Sequence, residues 1–174
     1  MPKLHLILLA ALCAGSVACQ STSPSQQSRK LSSIDHAGVI HDVKTTAYTH
    51  TESDHIAYGK GNAAGGKLKY GDVRSAAADW SVYPVGTSFK IEGQPYVYEV
   101  DDYGSALVGT KTIDLYTPSK ASMNDWGARK VNIKVLHWGS FQQSLTIMKP
   151  REFKKPHIHQ MISEIEQSKT LPTG

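Results

Sequence analysis

The chain has 174 residues, a formal net charge of +4 and two cysteines, a length that suits one domain of roughly 100–150 residues with appendages. Two cysteines exclude a disulfide-dense scaffold and any multi-cysteine zinc or iron–sulfur centre. The basic balance is mild (pI near 9.0), and no basic run is interleaved with aromatics, so no nucleic-acid footprint is written into the chain.

The N-terminus reads as an address. Lys3 precedes the short apolar run Leu4–Leu12, and the small residues Ala14, Gly15, Ser16 and Ala18 follow. That run is too short for the ~20-residue helix a bilayer requires, so residues 1–18 are expected to be a cleaved export signal. Ser16-Val17-Ala18-Cys19 is similar to a bacterial lipobox, in which Cys19 would become the acylated first residue. The position three before the cysteine is Ser16 where Leu or Val is usual, and the same string also passes as an ordinary small-x-small cleavage site. Lipidation at Cys19 would leave the mature chain no free thiol, because Cys13 departs with the signal. Residues 19–37 are Ser/Gln-rich without periodicity and read as a flexible tether. The expected location is the cell envelope, facing the periplasm, with the membrane reached through a lipid anchor only.

Residues 38–139 read as one β domain. Val39–Thr49, Ser88–Glu92, Tyr96–Asp101, Thr112–Tyr116 and Lys130–Leu136 are rich in β-branched and aromatic residues and are bounded by Gly, Pro, Asn or Asp. Such spacing predicts a small barrel or sandwich, not a βαβ fold. Arg74–Asp79 and Ser119–Trp126 are expected to be short helical stretches. In the tail, residues 140–174, the apolar residues Ile158, Met161, Ile162 and Ile165 recur at helical spacing, which predicts one amphipathic helix over His157–Ser168 packed on the barrel.

The chemistry narrows by elimination. The histidines have no metal-ligand spacing, no Gly-x-Ser-x-Gly motif exists, and the glycine-rich stretch around Gly59–Gly66 lacks phosphate-loop spacing. No cofactor and no metal are expected. The aspartates at strand ends are more informative. Asp114 interrupts an apolar strand and must face water, a cleft or a partner. Strand alternation puts Tyr96, Tyr98, Val100 and Asp102 on the apolar side of their strand, with Asp101 pointing outward, so Asp102 is the acid expected at a cleft. Trp80, Trp126 and Trp138 serve either as core or as an aromatic platform.

Five motifs in order, Thr45–Tyr48, Ala76–Asp79, Tyr83–Thr87, Asp102–Gly109 and Ile113–Tyr116, resemble the three-aspartate (3D) domain, a module known from membrane-bound lytic transglycosylases and stationary-phase muralytic proteins. The likeness runs from about Val43 to Trp138, and Trp126-Gly127-x-Arg129 matches its closing segment. The resemblance implies a mainly β fold: a six-stranded double-psi β barrel with short helices and the C-terminal amphipathic helix. It implies catalytic roles for Asp114, Asp102 and Asp79, and substrate contacts at Asn62, Lys67, Tyr103, Gly104 and Ser105. Two departures stand out: Asp102-Tyr103-Gly104-Ser105 replaces the family's Asp-Thr-Gly-Gly, and Asn62 replaces a cleft threonine.

The implied substrate is the peptidoglycan glycan strand, bound by a monomer and cut between N-acetylmuramic acid and N-acetylglucosamine. Lytic cleavage lets the sugar's own 6-hydroxyl attack, so one carboxyl can act first as acid and then as base. Asp114 is that residue by resemblance, with Asp102 and Asp79 supplying a negative field and orientation. A binding or scaffolding lipoprotein on the same barrel is the alternative, since fold does not fix function, and an expansin-like wall-loosening protein is a third.

Overall fold

A computed structural model describes residues 38–52 and 56–170; the expected signal, Cys19 and the tether lie outside the described residues. Six strands, β1 (Val39–Tyr48), β2 (Val73–Ala77), β3 (Ser88–Ile91), β4 (Val97–Asp102), β5 (Ile113–Tyr116) and β6 (Arg129–His137), form a closed barrel in the order β1-β5-β2-β4-β3-β6. Two pairs are parallel, β1 with β5 and β2 with β4, and the other four are antiparallel. The six-stranded double-psi barrel expected from the sequence is therefore the architecture of this chain.

Alternation along the strands fills the interior. Phe89, Val100, Ile113, Leu115 and Ile133 are buried inside, and the rings of Phe89 and Tyr98 stack at 5.5 Å. The strand β2 corrects an expectation, because Arg74–Asp79 reads as helical and is extended. The run lies between β4 and β5, where Ser75, Ala76 and Ala77 are all buried. Pairing on both sides and the demand for small side chains override alanine's helical preference.

A short helix α1 (Lys120–Trp126) matches the expected stretch; Ser119 caps its first turn and Gly127 ends it at φ 60°. After β6 the chain turns at Gly139, which lies so close to Val85 and Pro84 that an added Cβ would sit 2.1 Å from the Val85 carbonyl oxygen. Only glycine permits that approach. Beyond it come α2 (Phe141–Met148), a 3₁₀ helix (Lys149–Lys154) and α3 (Pro156–Thr170); the first two have no counterpart in the sequence reading. On α3, Ile158, Met161, Ile162 and Ile165 are buried in the same core as Trp80, Tyr83, Val85, Leu145 and Met148. Each such side chain contributes about 1.5–3 kcal/mol on full burial, so the tail is part of the domain's core. Trp80 is fully buried beneath it, and the Trp80 backbone N–H meets Met161 Sδ at 3.4 Å.

Candidate functional site

Register places the acids on one face of the sheet. Thr46 pairs with Asp114 and Tyr48 with Tyr116 across β1 and β5. Ala77 on β2 pairs with Asp114 on one side and Asp102 on the other. Paired residues share a face, so Thr46, Tyr48, Asp114, Tyr116, Ala77 and Asp102 lie together on the outer surface of β1-β5-β2-β4. The two aspartates are two strand spacings apart, roughly 10 Å at the backbone. Only the methyl of Ala77 stands between them. Leu68 and Leu107 fold over Tyr48, Ala77 and Tyr116 from neighbouring loops and make a second, small apolar cluster.

Asp102 is buried and accepts three hydrogen bonds: Tyr48 Oη donates to Oδ2 at 3.0 Å, and the backbone N–H groups of Ala63 and Tyr103 donate to Oδ1 at 3.0 Å each. It therefore ties β4 to β1 and to the 56–70 loop. Asp79 is fully buried and takes the N–H of Ser81 on Oδ1 and that of Gly109 on Oδ2, both at 2.8 Å. Burial pushes its carboxyl above the ordinary carboxylate range, against the pull of those donors. Asp79 holds the loop before β5; it faces no solvent.

Asp101 overturns the outward assignment. The register of β4 against β2 slips between Ala76 and Ala77, which pair with Val100 and Asp102 and leave Asp101 as the extra residue. A bulge breaks alternation, and both Asp101 and Asp102 become buried. Asp101 Oδ2 accepts from Ser75 Oγ at 2.8 Å and Asn62 Nδ2 at 3.0 Å, with Lys69 Nζ at 3.2 Å. Its Oδ1 is buried without a hydrogen-bond partner. Burial again raises this carboxyl, opposed by Ser75 and Lys69.

Asp114 differs from all of these, being only partly buried. Thr46 Oγ1 donates to its Oδ1 at 2.7 Å. The nearby Tyr48 phenol shows the charge of the region: its pKa stands far above the ordinary tyrosine value through burial, then through the field and hydrogen bond of Asp102, with Asp101 and Asp114 adding to it. Further along the face, Tyr116 Oη lies 2.9 Å from His50 Nδ1, and its ring packs 5.6 Å from Tyr48 and 6.3 Å from Tyr70.

The expected substrate contacts separate. Asn62 is a brace: its Oδ1 accepts from Gly66 N at 2.7 Å and its Nδ2 reaches both Asp101 and the Lys67 carbonyl. Lys67 and Ser105 are exposed. Gly104 accepts from the Leu107 N–H at 3.0 Å in a turn. Tyr103 packs its ring against Trp80 at 4.9 Å and His157 at 6.0 Å, which directs it to the helical tail. Trp80 is core, whereas Trp138 is exposed and stacks on Tyr83. Sequence reasoning passed over Thr46, Tyr48, Asp101 and His50 as site residues. The Thr45–Tyr48 motif contained two of them; the missing signal was the pairing of β1 with β5. Among the described residues no group of three or more His, Cys, Asp or Glu could hold a metal ion, and no helix is long and apolar enough to cross a membrane.

A closed six-stranded mixed barrel with three aspartates at the ends of β2 and β4 and within β5 defines the class. Residues 74–137, which hold all three, match the model of the 3D domain family. Over 106 residues, 60% of the chain, it is 35% identical to the "Putative cell wall shaping protein YabE" of Bacillus subtilis (strain 168). Over 66 residues, 38% of the chain, it is 35% identical to the "Cell wall-binding protein YocH" of the same organism. The matched regions span 25% and 22% of those two proteins.

Proposed function

We propose that this protein acts on the cell wall from the envelope side of the membrane, as a lytic transglycosylase that cuts the peptidoglycan glycan strand. The observation that carries the reading is the contrast at Asp114. It alone of the three motif aspartates is partly exposed, and it sits in register beside a hydroxyl donor, Thr46. The cell-wall names of the two relatives support the substrate.

In this mechanism Asp114 protonates the glycosidic oxygen as the bond from C1 of N-acetylmuramic acid breaks. The donor on Oδ1 favours the proton on Oδ2. The C6 hydroxyl of the same sugar then closes on C1, and the Asp114 carboxylate takes the hydroxyl proton. The product carries a 1,6-anhydro end, no water is consumed, and Asp114 regains its proton. Ordinary glycoside hydrolysis needs a second carboxyl as base or nucleophile. Asp102 and Asp79 are poorly suited to that part, because each is buried and bonded to the backbone. Their part here is to position the loops and to keep the surroundings acidic.

One observation favours binding without turnover: two of the three motif acids serve the architecture, which a binding module would need equally. Purified wild type and Asp114→Asn, incubated with sacculi and assayed for released muropeptides, decide between the two. Release by wild type and its loss in the variant, with sacculus binding retained, is the expected result. Binding by both without release would establish the binding module instead. Export and anchoring at Cys19 are part of the same proposal. An acyl mass on Cys19, and detergent partitioning that Cys19→Ala abolishes, are the expected findings.

A further inference from the structure

A cavity of about 250 Å³ opens beside the acidic face without including Asp114. Tyr116 joins the two, because it lies two residues beyond Asp114 on the same face of β5 and also lines the cavity. Two residues of extended chain span roughly 7 Å, about the length of one sugar ring. The cavity carries two guanidinium groups, Arg74 and Arg129, together with Gln94, Asp125 and Trp126.

Both arginines are held in place. The Arg74 guanidinium carbon lies 3.3 Å from the ring centre of Tyr96 and 4.1 Å from that of Tyr70, while Nε donates to the Gly71 carbonyl at 3.4 Å. Arg129 caps α1: Nε donates to the Trp126 carbonyl at 2.7 Å and Nη2 to that of Asp125 at 2.7 Å, above the Trp126 ring. Aromatic faces and carbonyls fix the orientation but do not neutralise the charge. Each guanidinium has five donors, and among the described residues neither arginine forms an ion pair with a carboxylate. Two immobilised cations on aromatic walls recognise carboxylates in directional, charge-assisted pairs. Asp125, on the same rim, adds a site for an ammonium group.

We propose that this cavity binds the peptide stem of peptidoglycan, with Arg74 and Arg129 taking its carboxylates and Asp125 an ammonium. The inference rests on the peptidoglycan reading above and deepens it: the protein would select glycan that still bears its peptides. A stem peptide is attached through the lactyl group of N-acetylmuramic acid, on the same ring whose C1 bond Asp114 would cleave, so a stem that leaves across that ring reaches the distance spanned through Tyr116.

The test uses the stem tripeptide L-alanyl-γ-D-glutamyl-diaminopimelate with the full chain, followed by calorimetry and by the indole N–H signal of Trp126. Binding that displaces this signal is expected. Arg74→Gln or Arg129→Gln should weaken it about tenfold or more, and added salt should weaken it further. Gln94→Glu is a second probe that leaves both arginines and their stacking in place; its added negative charge in the cavity should also weaken binding. Absence of tripeptide binding, or affinity unchanged in all three variants, overturns the proposal. Tripeptide binding that depends on the arginines, in a protein that never cuts sacculi, would uphold this subsite while refuting the lytic reaction. The same variants should lose affinity for sacculi but not for glycan strands freed of their peptides; an equal loss of affinity for both would also overturn the proposal.

Discussion

Two parts of the acidic face use the same side chain in opposite ways. At the ends of β2 and β4, Asp79 and Asp102 are buried and saturated with backbone or tyrosine donors, so they hold loops to the barrel. Within β5, Asp114 is partly exposed and has a hydroxyl donor on one oxygen. A carboxylate that must satisfy several backbone N–H groups cannot readily exchange a proton with a substrate. The three aspartates of the motif thus divide into two that are tied into the architecture and one that stays partly exposed.

Breaking the chemical side should give the largest effect. Asp114→Asn keeps the shape but removes the transferable proton, and acid–base assistance contributes ~10²–10⁴-fold in rate. Muropeptide release should fall by that factor while the thermal midpoint stays nearly constant. On the structural side the order should reverse. Asp79→Asn must turn an amide N–H toward a backbone N–H, because both Asp79 oxygens are acceptors; a cost of about 2–4 kcal/mol is expected. For a domain of this size each kcal/mol lowers the midpoint by about 3–6 °C, which calorimetry will resolve. Asp102→Asn should cost less than about 1 kcal/mol. Its remaining oxygen keeps the Ala63 and Tyr103 donors, and the amide can donate to Tyr48.

Thr46→Val sharpens the contrast. It removes the Thr46–Asp114 hydrogen bond, worth ~1 kcal/mol, so turnover should drop about fivefold with an altered pH profile, while stability falls by no more than about that amount. The smallest effect concerns pH. Burial raises the carboxyls of Asp79 and Asp101, so the folded protein retains protons that the unfolded chain releases just above pH ~4. Stability from their neutral forms is complete below that pH and declines as pH rises through the folded values. Asp101→Asn should flatten this decline, as measured by the thermal midpoint across the acid range.

The barrel was legible because five strands carry alternation and turn residues, and because the motif order matched a module with a known topology. What stayed hidden depended on long-range pairing. The Ala-rich β2 reads as helix until β4 and β5 flank it. The fate of Asp101 turned on a single bulge at Ala76, which alternation cannot reveal. Asp114 stood out as a carboxylate in an apolar strand, but alternation favoured Asp102 and only the family resemblance gave Asp114 its role; Thr46 had no signal of its own, since only the β1–β5 register brings residues so distant in sequence together. The cavity arginines were invisible for the same reason: Arg74 and Arg129 stand on strands that do not pair with each other.

Lytic cleavage as proposed needs a single carboxyl working without water. Digesting sacculi in heavy-oxygen water and weighing the released muropeptides tests that directly. Wild-type products should carry 1,6-anhydro ends with no heavy oxygen, and Asp114→Asn should release no such products. Reducing ends that carry heavy oxygen, or undiminished release by Asp114→Asn, would contradict it.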